Sequence, residues 1–378
     1  MSAPNRTLVL ALVLATGGCA GIWGFADLVA GDAGSVDASL DGSSGSGSSS
    51  GSESGSGAGS SSGSGGSDGG CTNTQTDPHN CGRCGHDCQG GGCSAGGCQP
   101  VTLATGPGGS YGHLAVDARN VYWTSGDSAS ASAVVASVPI GGGAVTTIAS
   151  GLNTAYGLAI DATSVYWSSG TLGIVATAPI VGGAVSTLFS GLSNPLGLSL
   201  HGASLYWASH SAAGPIETAL AAGGPVTTIA TGQGAPWDLT TDATSAYWAN
   251  GNSGEIVKAP LVGGSSTTLV SGLSNPYGVA VDASGVYWSD ATDVSRVGVN
   301  GGAVTTIATS LSNPGGIALG AADVYWVTSS AVQTCPKVGC VSPRTLASGL
   351  GDPQCIALDA TSVYWTTAMG GTVMKVAK

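Results

Sequence analysis

The chain has 378 residues, with 65 Gly, only 8% charged residues and 42% hydrophobic residues. This mixture suits small-residue β-sheets packed on both faces and joined by tight turns, and it excludes a helix-rich enzyme. The net charge is −12 and just nine residues are Lys or Arg. The phosphate-neutralising stripe of a nucleic-acid binder is therefore missing, and DNA and RNA are not expected partners.

Residues 1–19 read as an export signal: Arg6, an apolar run at 8–15, then Thr16, Gly17 and Gly18 before Cys19. The segment resembles a bacterial lipoprotein signal peptide. That resemblance implies export, lipidation of Cys19, and anchoring in the cell envelope, at the outer membrane, through an N-terminal lipid. Cleavage without a lipid and an uncleaved anchor are the competing readings, the latter because no charge interrupts residues 8–26. Gly17, Gly18, Gly21 and Gly24 weaken a membrane helix there.

Residues 20–70 form an Asp/Ala and then Gly/Ser linker with nothing able to bury a core, so a disordered tether is expected. A flexible chain of this composition reaches about 30 Å on average. The strings G-S-S-S-G and G-S-G-A-G within it half-match a nucleophile elbow and a phosphate loop, but lack the strand and helix those motifs need.

A Cys-rich module follows at 71–99, with Cys71, Cys81, Cys84, Cys88, Cys93 and Cys98. Closely spaced Cys behind an export signal predict disulfides, because so short a segment cannot stabilise itself by apolar burial; the pairing is left open. Zinc is the alternative, since Cys81 and Cys84 with His79 and His86 have ligand-like spacing. The stretch resembles Cys-rich modules beside the Gly/Ser spacers of myxobacterial surface lipoproteins.

From 101 to 378 a Tyr-Trp pair recurs at 122–123, 166–167, 206–207, 247–248, 287–288, 325–326 and 364–365. A period near 40 residues with four short strand signals per unit predicts propeller blades. Neighbouring residues on a strand point to opposite faces, so each Tyr and each Trp would fill the gap to a different adjoining blade. The last unit stops before its fourth strand, and V-T-L-A-T-G at 101–106 supplies one at the other end. The expected fold is an all-β, seven-bladed propeller of four-stranded antiparallel blades, closed by the N-terminal strand, with six or eight blades as the alternatives.

The region resembles the YWTD and NHL propeller families, Asp161 followed by Tyr166-Trp167 being the shared pattern. After Tyr-Trp, only Ser289-Asp290 approaches the Thr-Asp of the name, and those families typically have six blades. The resemblance thus implies architecture and names no ligand.

Asp117, Asp161, Asp242, Asp282 and Asp359 recur at the end of strand one, a calcium ring or a set of Asx turns. His201 and Gly320 occupy that position in two blades, which favours turns. The loops from strand four to one and from two to three share the other face. Tyr111, His113, Tyr156, Trp237, Asp238 and Tyr277 lie there as candidates for binding an extracellular protein, peptide or glycan. No metal or cofactor motif is identified. An enzymatic role is left open below a binding one: a propeller lyase resembling the streptogramin-inactivating enzymes would need clustered His and Glu, and only Glu217 and Glu255 are present. Cys335 and Cys340 flank P-K-V-G and are expected to close a hairpin disulfide, while Cys355 replaces a Gly found in other units and is either buried or paired upstream.

Overall fold

The computed structural model describes residues 73–106, 112–125 and 133–378. The signal segment with Cys19, the linker, Cys71 and Tyr111 lie outside the described residues. Seven four-stranded antiparallel sheets follow one another along the chain. In the second, Leu158–Ile160, Ser164–Ser169, Ile174–Pro179 and Ser186–Phe189 pair in simple succession, inner strand to outer.

The seventh sheet closes the ring. Its strands are Pro353–Leu358, Ser362–Thr367, Thr372–Ala377 and then Val101–Thr105 from the other end of the chain. Thr105 pairs with Thr372 and Val101 with Lys375, so the outermost strand of the last blade comes from ahead of the first. Covering that edge leaves no blade incomplete.

Seven separate apolar clusters hold the blades together, one per seam. Each contains the Tyr of one blade and the Trp of the next: Tyr122 with Trp167, Tyr166 with Trp207, Tyr206 with Trp248, Tyr247 with Trp288, Tyr287 with Trp326, Tyr325 with Trp365. The seventh cluster joins Tyr364 to Trp123 and completes the circle. No blade could bury both rings alone, so burial of this aromatic surface requires the closed ring.

Hydroxyl bonds reinforce several seams at the mouth end. Thr124 Oγ1, directly after its Tyr-Trp, donates to the Tyr156 carbonyl of the next blade at 2.7 Å; Ser168 does the same to Leu196 at 2.6 Å and Ser289 to Gly315 at 2.6 Å. Inner strands approach so closely that a Cβ on Gly157 would overlap the Leu196 carbonyl.

The strand-one aspartates serve the turns on the opposite face. In Asp161, one carboxylate oxygen accepts the backbone N–H groups of Thr163 and Ser164, and the other accepts the Tyr166 hydroxyl at 2.8 Å. Asp117, Asp242 and Asp359 repeat the arrangement with Tyr122, Tyr247 and Tyr364. Burial raises Asp161 and Asp242, but these donors outweigh it and leave both below the usual carboxylate range. In the fifth blade Asp282 instead takes Lys337 from the neighbouring blade.

The Cys-rich module is held by Cys81–Cys93 and Cys88–Cys98. A third bridge, Cys335–Cys340, closes the expected hairpin, and Cys84 and Cys355 are disulfide-bonded too. Cys81, Cys88 and Cys98 bring their sulfur atoms together as neighbours in two bridges. The module is packed onto the disc rather than hanging from it. Cys81, Cys88 and Cys98 share the cluster of Tyr325, Leu358 and Val363, and His86 Nε2 meets the carbonyl of the last residue, Lys378, at 2.7 Å. The chain therefore enters the disc on the face of the Asp turns.

Candidate functional site

The other face carries the starts of the inner strands and the loops joining strands two and three. Tyr156 precedes Leu158–Ile160, Tyr277 precedes Val279–Asp282, and Trp237 and Asp238 lie within Pro236–Thr241. His113 precedes Leu114–Val116, directly after Gly112.

These side chains do not ring an open mouth; they cross it. The Tyr156 and Tyr277 hydroxyls, from the second and fifth blades, meet at 2.8 Å. The His113 ring lies 4.7 Å from that of Tyr156, and the Trp237 ring 5.7 Å from that of Tyr277. His210, on the loop after Ser204–Ser209, extends the row by packing 4.0 Å from Trp237, with its Nδ1 donating to the Pro236 carbonyl. Five rings from five blades thus form one chain, His113–Tyr156–Tyr277–Trp237–His210, over the central axis. Tyr156, Trp237, Tyr277 and His210 are half-buried, and His113 is fully covered.

Two of the groups at the mouth, one of them a ring of the row, are buried and ionisable. The Asp238 carboxylate is 3% exposed and accepts the Leu239 and Val279 backbone N–H groups at 2.9 and 3.3 Å. Burial raises its pKa to about 7 even so. Burial acts on His113 in the opposite sense and lowers it to about 3, which keeps the imidazole neutral at ordinary pH. His210 is also lowered by its partial burial. A neutral imidazole can accept or donate, and a carboxyl near pH 7 can exchange its proton, so the mouth combines aromatic surface with two groups capable of proton traffic.

Of the six candidates read from the sequence, five stand at or under the mouth, and Tyr111 lies outside the described residues. His210 was missed. Its signal was its place on a strand-two-to-three loop, which the propeller topology puts on the same face.

The architecture and the mouth define a seven-bladed β-propeller with an aromatic bridge across one end of its axis. No protein-family model matches the chain, and no curated protein matches it. Solved structures do. A virginiamycin B lyase from Staphylococcus aureus, solved with quinupristin, aligns with a TM-score of 0.62 at 13% identity, over 74% of this chain and 98% of that one. The WD40 β-propeller domain of Doa1 gives 0.61 at 12% identity, over 74% and 97%. A nidogen/laminin complex chain gives 0.46 at 19% identity, over 54% and 85%. The likeness to the lyase and to the WD40 domain shows the propeller fold.

Proposed function

We propose that the protein is a cell-envelope-anchored binding or scaffolding module that presents the aromatic mouth to an extracellular protein, peptide or glycan. The observation that carries this reading is the opposition of the two faces. The Cys-rich module, into which the N-terminal tether leads, docks against Lys378 and the Asp-turn face, and the five-ring row lies on the other. A lipid at Cys19 would then tether the disc from the side of its Asp-turn face and leave the mouth free to meet a ligand. Half-buried Trp and Tyr with polar tips are the side chains that bind flat or ring-shaped ligands with little loss of conformational freedom. The acidic surface, with a net charge of −12, speaks against nucleic acid as the ligand.

The test is a glycan and peptide array probed with the protein lacking its first 19 residues, followed by Trp237→Ala. A hit that survives Trp237→Ala with unchanged affinity removes the mouth from the proposal. Incorporation of a radiolabelled fatty acid that persists in Cys19→Ala would remove the anchor.

A second reading is favoured by Asp238 and His113: an exported lyase or hydrolase with its site at the mouth. There Asp238 would move a proton near neutral pH while His113 accepts one. Turnover retained in both Asp238→Asn and His113→Asn would eliminate it.

A further inference from the structure

The Cys-rich module meets the disc where the ring is closed. Its last cysteine, Cys98, lies just ahead of the closing strand Val101–Thr105. Its His86 reaches Lys378, the residue directly after Thr372–Ala377, and that is the strand with which the closing strand pairs. The two sides of the closure are therefore tied together twice, by the strand pairing itself and by His86 across the module. Cys81, Cys88 and Cys98 add apolar contact with Tyr325, Leu358 and Val376.

The bonding of the His86 ring fixes its charge. Nδ1 lies 2.6 Å from the Cys81 carbonyl oxygen, and Nε2 lies 2.7 Å from the Lys378 carbonyl oxygen. Both partners can only accept. A neutral imidazole has one N–H and one lone pair, so in either tautomer a lone pair would point at a carbonyl oxygen. Only the imidazolium, with an N–H on each nitrogen, makes both bonds. The backbone holds this register, because the Cys81 N–H donates in return to the His86 carbonyl at 2.9 Å and Cys81 is bridged to Cys93. The same bonds remove the zinc alternative: Cys81 and Cys84 are in disulfides and have no thiolate to offer, and both His86 nitrogens are engaged.

Charges reach the ring from both sides. On the module, the hydrogen bond from His79 holds Asp87 below the usual carboxylate range, so an ionised carboxylate adjoins His86 and favours a positive ring. Arg83 accepts the His86 backbone N–H at 3.3 Å and is itself exposed. On the disc, the Lys378 ammonium donates to the Asp359 carbonyl and the Lys375 ammonium to the Ile140 carbonyl. Both ammonium groups lie in the field of the Asp359 carboxylate, and Lys378 in that of Asp323 as well. The carboxylates offset the ammonium groups, and the two carbonyl oxygens decide the charge of the ring.

We propose that His86 is a pH-operated latch on ring closure. As an imidazolium it fastens the module to the end of the last strand. When it loses its second proton one bond breaks, a lone pair is set against a carbonyl oxygen, and the module and the closing strand loosen together. Docking favours the protonated ring, so the latch is closed at low pH and opens as pH rises through the range in which imidazoles change charge. The latch needs no ligand at the mouth and is independent of what that face does.

The test uses the full chain labelled with nitrogen-15 histidine, together with His86→Gln. At about pH 6 the wild-type His86 ring should carry a proton on both nitrogens in the nitrogen-15 spectrum. Hydrogen-exchange protection factors of the closing strand and of Thr372–Ala377, followed from about pH 5 to 8, should fall about tenfold in the wild type, the effect of one lost charge-assisted hydrogen bond. In His86→Gln, whose amide keeps the same donors at every pH, protection should stay level. Asp238 and His113 are present in both proteins and cancel in the comparison. Parallel profiles in the two proteins overturn the proposal, and so does a His86 ring that carries one proton at about pH 6. If His86→Gln does not fold, the wild-type protection profile and the His86 ring signal, assigned through its backbone, decide the matter.

Discussion

The two buried ionisable groups beneath the mouth make opposite demands on stability, and the demands cancel over a defined pH range. Asp238 is raised from its ordinary 3.8 to about 7 by burial. The stability that its neutral form permits is complete below pH 4 and is lost as pH rises toward 7, because the unfolded chain ionises there while the folded one resists. His113 is lowered from its ordinary 6.5 to about 3. Its contribution is complete above pH 6.5 and is lost as pH falls toward 3, because the unfolded chain takes up a proton that the folded one refuses. Between pH 4 and 6.5 the folded state holds one extra proton at Asp238 and one fewer at His113. Each mismatch tilts stability by about 1.4 kcal/mol per pH unit, so in the wild type the pair contributes almost no slope. Asp238→Asn removes one arm, and stability should then rise by about 3 kcal/mol from pH 4 to 6.5 relative to the wild type. His113→Asn removes the other, and stability should fall by a similar amount over the same range. Constant offsets are expected in both variants, from the amide facing the Val279 or Leu239 N–H and from the lost ring against Tyr156, but neither changes the slope. Urea midpoints measured across this window give the slopes, and all other titrating groups cancel in the difference curves. Three parallel curves would refute the reasoning.

Leu103, on the closing strand and 7% exposed among Tyr364 and Trp123, should cost about 3 kcal/mol when cut to Ala, read from urea denaturation as a single shifted transition of the whole disc. Loss of one blade signal ahead of the rest would show that ring closure is not cooperative. Gly157→Ala drives a Cβ into the backbone of Leu196 and should cost about 3 kcal/mol by the same assay. Replacing both Cys81 and Cys93 by Ser opens a bridge spanning 12 positions and should lower the stability of the docked module by about 3 kcal/mol, measured by scanning calorimetry. A change under about 1 kcal/mol would mean that docking against the disc, not the bridge, keeps the module folded.

The seven blades, their strands and the closing strand at 101–105 were legible because each unit repeats the same local chemistry. Tyr-Trp on strand two, the Asp turn after strand one and the Gly pair after strand three each carry a local reason for their place. The partners of Tyr156 and Tyr277 were not legible, since their hydroxyls meet across the axis from units 121 residues apart, and no local pattern encodes that distance. The bridges Cys81–Cys93 and Cys88–Cys98 were equally hidden, because cysteine spacing alone leaves the pairing open. The docking of the module was missed for a related reason. His86 reaches Lys378 at the far end of the chain, so the contact depends on ring closure bringing the two ends together.

A repeat protein supplies its own controls, and the mouth stands out against them. Where the inner strands begin, the blade positions equivalent to Gly157 are Gly197, Gly278 and Gly316, because a larger residue meets the next blade. Three blades break that rule, with Asp238, Cys355 and His113 at the same position; the His113 N–H bonds Thr124 Oγ1 as the Gly157 N–H bonds Ser168 Oγ. All three departures are buried, at 3%, 1% and 1% exposure. Cys355 is held in a disulfide, but packing does not explain Asp238 and His113, since the ring closes with Gly at the other four positions. A buried carboxyl raised to about 7 and an imidazole lowered to about 3 each weaken the fold at neutral or acidic pH. Residues that lower stability at one end of the axis, directly beneath the only row of rings on that face among the described residues, are best accounted for by what the mouth does. The repeat thus sets the axial end that carries Asp238 and His113 apart from the rest of each blade.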